Sequence, residues 1–337
     1  MANLVTVFLF LGVIAYGLLA GADFGAGFWD LLAGGARRGR APRALIDASL
    51  APVWEANHTW LIYCLVILWS GFPTAFAALT TTCYIPLGVA ALGIVLRGAG
   101  FAFRKVSLRT PEQRLYGAAF AASSVLTPFC FGSVAGALAS GRVPAGGGGN
   151  ALTSWLNPSG VLGGVLAVLV CAHLAAVYLT VTARRRGDGD LFRYFCVRGL
   201  ASGVLAGAVS AGGIFVLRAD VPRLFHNLTH RSLPLVLLAA LGGLAGLVLL
   251  RAEEVRGLRE AAAAAVALVL GGWGVSQYPY LLGTHVSLQD AASPDATLGV
   301  LVGVACVAGV LILPSLILLF RVVGRPGVDG RPPRRRS

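Results

Sequence analysis

Asp23, Glu55 and His58 are the residues of this chain whose types and spacing could move protons. Each ionisable group held at mid-membrane costs roughly 2.5–3.5 kcal/mol on insertion scales, so acids inside apolar runs are informative. Asp23 is followed seven residues later by Asp30. The two share a helix face, with Asp23 about 10 Å deeper. Glu55 and His58, at i and i+3, point the same way at the start of the second apolar run. Burial favours the neutral form of a carboxyl, which lets such a group exchange protons near neutral pH. The expectation is that Asp23, Glu55 and His58 line a proton entry route from the cytoplasm. An equally good reading places Asp30 and Glu55 at the interface, with Glu55 stabilised by the positive end of its helix.

Other chemistries find less support. Glu55-x-x-His58 has the spacing of a carboxylate-bridged di-iron helix, but that centre needs a second such pair and two more carboxylates, and the sequence has no second copy. Met1 is the only methionine, and His173 is the only histidine deep in an apolar run. Haem needs an axial ligand, and His173 is read instead as a polar contact between helices. His226 and His230 fall in the segment 219–231, read as a solvated loop. The six cysteines are scattered, form no C-x-x-C pair and mostly sit in apolar runs as small hydrophobes.

The elements that must position these groups are membrane helices. The chain has 337 residues, 57% hydrophobic and 12% charged, where a soluble domain carries about a quarter charged. Apolar runs fall at 4–32, 51–71, 75–99, 115–140, 159–183, 197–218, 232–251, 260–282 and 297–321. Each can cross about 30 Å of hydrocarbon at 1.5 Å per residue. Short alternating runs of a barrel are lacking, so the spans must be helices. The expected fold is an all-α polytopic membrane protein of about nine transmembrane helices. Pro128-Phe129-Cys130-Phe131-Gly132 echoes Pro279-Tyr280-Leu281-Leu282-Gly283, which suggests two four-helix bundles plus one extra helix. Close approach is expected at Gly21/Gly25, Gly132/Gly136, Gly160/Gly164, Gly199/Gly203 and Gly299/Gly303.

Charge sets the expected orientation. Of the 27 Lys and Arg residues, all but Arg142, Arg218, Arg223 and Arg231 fall in segments on one side, if Arg97 is counted with the loop after the third run. That asymmetry predicts an outer N-terminus and a cytoplasmic C-terminus. The net charge of +13 is spread between apolar runs as lipid-surface anchors, an arrangement that excludes a nucleic-acid surface. The start of the chain lacks the basic region of a cleaved signal and reads as a retained span. Residues 146–150 read as a flexible outer loop. Residues 1–323 form the membrane domain, and the basic tail 324–337 reads as disordered.

Four stretches, taken in order, resemble subunit II of the cytochrome bd quinol oxidases over nearly the whole chain. Ala20-Gly21-Ala22-Asp23-Phe24-Gly25-Ala26-Gly27 ends the first run, and Pro52-Val53-Trp54-Glu55-Ala56-Asn57-His58-Thr59-Trp60 opens the second. Leu156-Asn157-Pro158-Ser159-Gly160 precedes the fifth, and Ser287-Leu288-Gln289-Asp290-Ala291-Ala292-Ser293-Pro294 precedes the ninth. Trp54, Asn57, Trp60, Asn157, Pro158, Asp290, Ser293 and Pro294 carry the match.

The resemblance implies a subunit of a bacterial inner-membrane oxidase that takes electrons from quinol and reduces dioxygen to water. It also implies haem b and haem d on a partner, subunit I, with this chain supporting assembly and proton supply. The sequence departs from the family at Ala20, where an acid is usual, and at Glu55-Ala56, where Asp-Gly is usual. His58 could partly replace the missing acid, since imidazole titrates near neutral pH. A transporter or permease is the alternative, although no polar cluster lies deep in the spans. A scaffold without oxidase activity is a third reading.

Overall fold

In the computed structural model of the chain, residues 1–35, 37–50, 54–106 and 110–323 are described. The tail 324–337 lies outside them, as do the residues 51–53 before the second span.

The long helices are α1 (Ala2–Leu31), α3 (Trp54–Gly71), α5 (Tyr84–Val106), α6 (Thr110–Ala139), α7 (Pro158–Arg185), α8 (Gly189–Asp220), α10 (Leu233–Arg251), α11 (Leu258–Gln277) and α13 (Asp295–Val323). Among the described residues, seven helices are long and apolar enough by themselves to cross a membrane. The other two of the nine expected spans are α3 and α5. Helix α3 meets the length test only together with α4 (Pro73–Thr82), which bends away from it by 116°. Helix α5 is apolar over Tyr84–Gly100. The run 75–99 is therefore two helices. Pro73 disfavours helical geometry in the residue before it, and Phe72 turns out to φ −137°, ψ 60°.

In one group α1 packs on α3 and α6, and α5 on α6; in the other α7 packs on α8 and α11, and α10 on both; α13 lies against α1 and α3. The two groups meet where α1 and α6 cross α7. Glycine makes those crossings possible. A Cβ on Gly25 would strike the backbone carbonyl of Cys171, and one on Gly132 the carbonyl of Gly163. Gly299 and Gly303, by contrast, face open space, so that pair is not used within this chain.

At the end of the bundle that carries Met1, short elements form a cap. They are α4, α9 (Pro222–Thr229), the antiparallel strands β1 (Tyr280–Leu282) and β2 (Val286–Ser287), and α12 (Leu288–Ala291). This corrects three expectations. Helix α11 stops at Gln277, so Pro279–Gly283 is a hairpin outside the helix and not the counterpart of Pro128–Gly132 within α6. Pro222 opens a short helix in the segment expected as a loop. The segment 146–150 is built into the cap: Gly149 N–H donates to Thr82 Oγ1 at 3.2 Å, and Asn150 Oδ1 accepts from Leu152 and Thr153.

Two ion pairs pin the ends of the bundle. Arg142 binds Asp220 through both nitrogens, at 2.9 and 2.5 Å, and Ser159 Oγ donates to the same carboxylate at 2.5 Å. This pair ties the ends of α6 and α8 to the start of α7. At the opposite end Arg43, on the amphipathic α2 (Arg40–Leu50), binds the buried Asp30 at 2.7 Å and the carbonyl of Gly34 at 2.7 Å.

Candidate functional site

The charged centre of the bundle lies on α1, α5 and α6. Asp23 is 4% exposed and Arg97 1% exposed, the largest fully buried side chain among the described residues. Arg97 Nη2 donates to Asp23 Oδ1 at 2.7 Å and to its carbonyl at 2.6 Å, while Nε donates to Oδ2 at 3.2 Å. Nη1 donates to Ser124 Oγ. The guanidinium also lies over two rings, 5.1 Å from the centre of Phe24 and 4.3 Å from that of Phe120. Two opposite charges can stay in a low-dielectric interior when they pair and their remaining donors are bonded. Here every nitrogen of Arg97 has an acceptor.

Arg97 corrects the sequence reading, which counted it among the loop cations. Its signal was visible: apolar residues continue on both sides of it, through Gly98 to Phe103, before the Arg104-Lys105 pair. Ser124, Phe24 and Phe120 left no signal of their own, because their roles depend on Arg97 reaching them.

The register between α1 and α3 locates the other proton candidates. Val5 lies against Gly71, Gly12 against Tyr63 and Cys64, and Tyr63 Oη donates to the carbonyl of Phe8 at 3.3 Å. The helices are antiparallel, and the same rise per residue brings the first turn of α3 to within one turn of Asp23. Glu55 and Trp54 belong to that turn, but their side chains lie outside the described ones. His58 is half-buried on α3.

Asn57, one residue before it, is 2% exposed and neither amide atom has a protein partner. Trp60 Nε1 is likewise buried and unpartnered, with its ring edge-on to Tyr63 at 5.9 Å. On α6, one turn beyond Ser124, the hydroxyl of Thr127 is in the same condition. Ala20 sits 3% exposed in an apolar contact with Phe24 and Cys171. The position expected from the resemblance to hold an acid is thus an apolar contact.

The remaining motif residues are architectural. Asn157 caps α7: its Oδ1 accepts from Gly160 N–H at 2.9 Å and its Nδ2 donates to the Ser154 carbonyl at 2.9 Å. Pro158 occupies the first turn, where no amide hydrogen is needed. Asp290 forms a reciprocal capping box with Ser287. Ser293 joins the cap to α3, N–H to the Gly71 carbonyl at 2.9 Å and Oγ to the Ser70 carbonyl at 2.7 Å. Pro294 then leads into α13, and its carbonyl accepts from Leu298 N–H at 3.1 Å.

His173 Nδ1 lies 3.0 Å from the Gly199 carbonyl, and the ring packs so closely on Gly203 that even a methyl group there would collide with it. His226, on α9, and His230, just past its end, stack at 4.1 Å. Among the described residues no three His, Cys, Asp or Glu side chains gather as metal ligands.

Comparison with known proteins follows the same lines. The family model described as cytochrome bd terminal oxidase subunit II matches residues 1–323. The chain is 24% identical over 314 residues to the cytochrome bd ubiquinol oxidase subunit 2 of Bacillus subtilis, covering 90% of this chain and 89% of that protein. It is 27% identical over 175 residues to the cytochrome bd-I ubiquinol oxidase subunit 2 of Escherichia coli, covering 50% of this chain and 45% of that one. Its fold is similar to a chain of the bd oxidase from Geobacillus thermodenitrificans, with a TM-score of 0.76 at 24% identity, over 95% of this chain and 98% of that one.

Proposed function

Because the chain belongs to the cytochrome bd terminal oxidase subunit II family, we propose that it is the haem-free subunit of a quinol oxidase and supplies protons to a haem-bearing partner. The observation that carries this reading is the family match along the whole membrane domain, residues 1–323. The same reading places haem b and haem d on subunit I. In the complex, quinol is oxidised to quinone, dioxygen is reduced to water, and the protons entering water come from the cytoplasm.

This chain's part is structural and protonic. Asp23 and Arg97 hold α1 and α5 together with their charges cancelled. Glu55 and His58 stand where protons enter, at the start of α3. Nearby on α3, the buried amide of Asn57 and the indole N–H of Trp60 have no protein partner. Buried groups of that kind bond internal water, and such water relays protons. The ends of the bundle with Arg37–Arg43, Arg184–Arg186 and Arg251–Arg259 face the cytoplasm, which puts the N-terminus outside.

The test is quinol-driven oxygen uptake by membranes containing both subunits. Glu55→Gln keeps the size of the side chain and removes its titration. Uptake is expected to fall by at least about tenfold, within the range of general acid–base contributions, while haem content per complex stays constant. Unchanged uptake would take Glu55 out of the route.

A further inference from the structure

We propose that the contact between α7 and α11, at the end of the bundle with Arg184–Arg186, binds the headgroup of an anionic phospholipid through Arg259 and Arg185. Arg259, in the first turn of α11, reaches across to α7. Its Nη2 donates to the Tyr178 carbonyl at 3.2 Å and to Thr182 Oγ1 at 3.0 Å, and its guanidinium lies 4.3 Å from the centre of the Tyr178 ring. The guanidinium is thereby fixed in place. Its Nε–H, however, is buried and has no acceptor. A charged donor left unbonded away from water is costly, and an anionic oxygen removes that cost.

The charges around it favour the same ligand. Arg185, exposed at the end of α7, lies one turn beyond Thr182, the residue whose hydroxyl Arg259 bonds. The neighbouring acids are engaged elsewhere or only weakly opposed to it. Asp188 accepts from Leu191 N–H to cap α8, and Glu254 accepts from the N–H groups of Val255 and Arg256 in its own turn. Glu260 attracts Arg259 without closing an ion pair. A phosphodiester at this contact can take a hydrogen bond from Arg259 and charge from Arg185.

The occupant is a lipid and not free phosphate because of what flanks the site. Tyr178 is 42% exposed beside the buried Nε, so the approach runs along an aromatic surface at the hydrocarbon edge. A headgroup tethered to acyl chains lies there, and a hydrated ion does not.

The experiment uses the intact complex, and it reads lipid and not respiration, so its outcome is independent of the oxidase reading. Complex purified in mild detergent is analysed by native mass spectrometry for retained phosphatidylglycerol, cardiolipin and phosphatidylethanolamine. Wild type is expected to keep anionic lipid in preference to the zwitterionic one. Arg185→Gln, at an exposed position outside the packing, should lower retention by about fivefold, on the scale of one surface arginine. Arg259→Gln together with Arg185→Gln should lower it further. Delipidated complex should melt at a higher temperature with added cardiolipin and show no shift with the same concentration of inorganic phosphate. Equal retention in wild type and Arg185→Gln, equal retention of zwitterionic lipid, or an equal shift with phosphate would each overturn the proposal.

Discussion

Arg97→Ala is expected to remove the folded chain from the membrane. The substitution leaves Asp23, 4% exposed, as an unpaired acid among Phe24, Phe120 and the α1 backbone. Breaking a buried pair from one side costs about 3–5 kcal/mol, because the surviving charge keeps its desolvation penalty. That is a large share of the stability of an ordinary domain. Asp23→Asn with Arg97→Gln should recover most of the loss, since an amide pair can bond without net charge. The measurement is the quantity of detergent-stable chain at equal expression, followed by its melting temperature. Equal yields for Arg97→Ala and wild type would mean that Asp23 takes its proton at no cost and that the pair is not structural.

Gly25→Leu is the second large effect expected. The α1–α7 crossing joins the two four-helix groups, and at Gly25 the neighbour is the carbonyl of Cys171. A side chain can rotate away from an intruding group, but a helix backbone can only move as a unit. The cost should reach about 3 kcal/mol or more, the upper part of the overpacking range. Gly132→Leu should behave alike at the α6–α7 crossing, where the Gly163 carbonyl stands in the way. Gly299→Ala and Gly303→Ala supply the control, since open space surrounds both positions and they should melt like wild type. Protease digestion reads the difference directly: the Leu variants should be cut between residues 139 and 158, and the control variants should not.

Much of this was legible in the sequence because lipid imposes simple rules. Apolar length gave the helices. The motif stretches were legible as positions but not as roles. Asn157, Asp290 and Ser293 matched the family pattern, and only the structure assigns them to helix caps and the tie to Ser70.

Two misreadings have one physical cause. Arg97 was placed by its charge near other cations, and Pro279 by its apolar neighbours, yet tertiary partners decide both. A cation enters the interior when an acid on another helix is ready for it, and periodicity along one chain carries no record of that. The bend at Phe72 was within reach of sequence reasoning, because proline disfavours helical geometry in the residue before it.

Purification of the chain by an affinity tag, with its neighbours left native, tests the central claim most directly. The reduced-minus-oxidised spectrum of the purified material should show b-type and d-type haem bands, carried by a second polytopic subunit, and the material should consume oxygen on addition of quinol. Material that is pure, folded and free of haem-bearing partner would contradict the account.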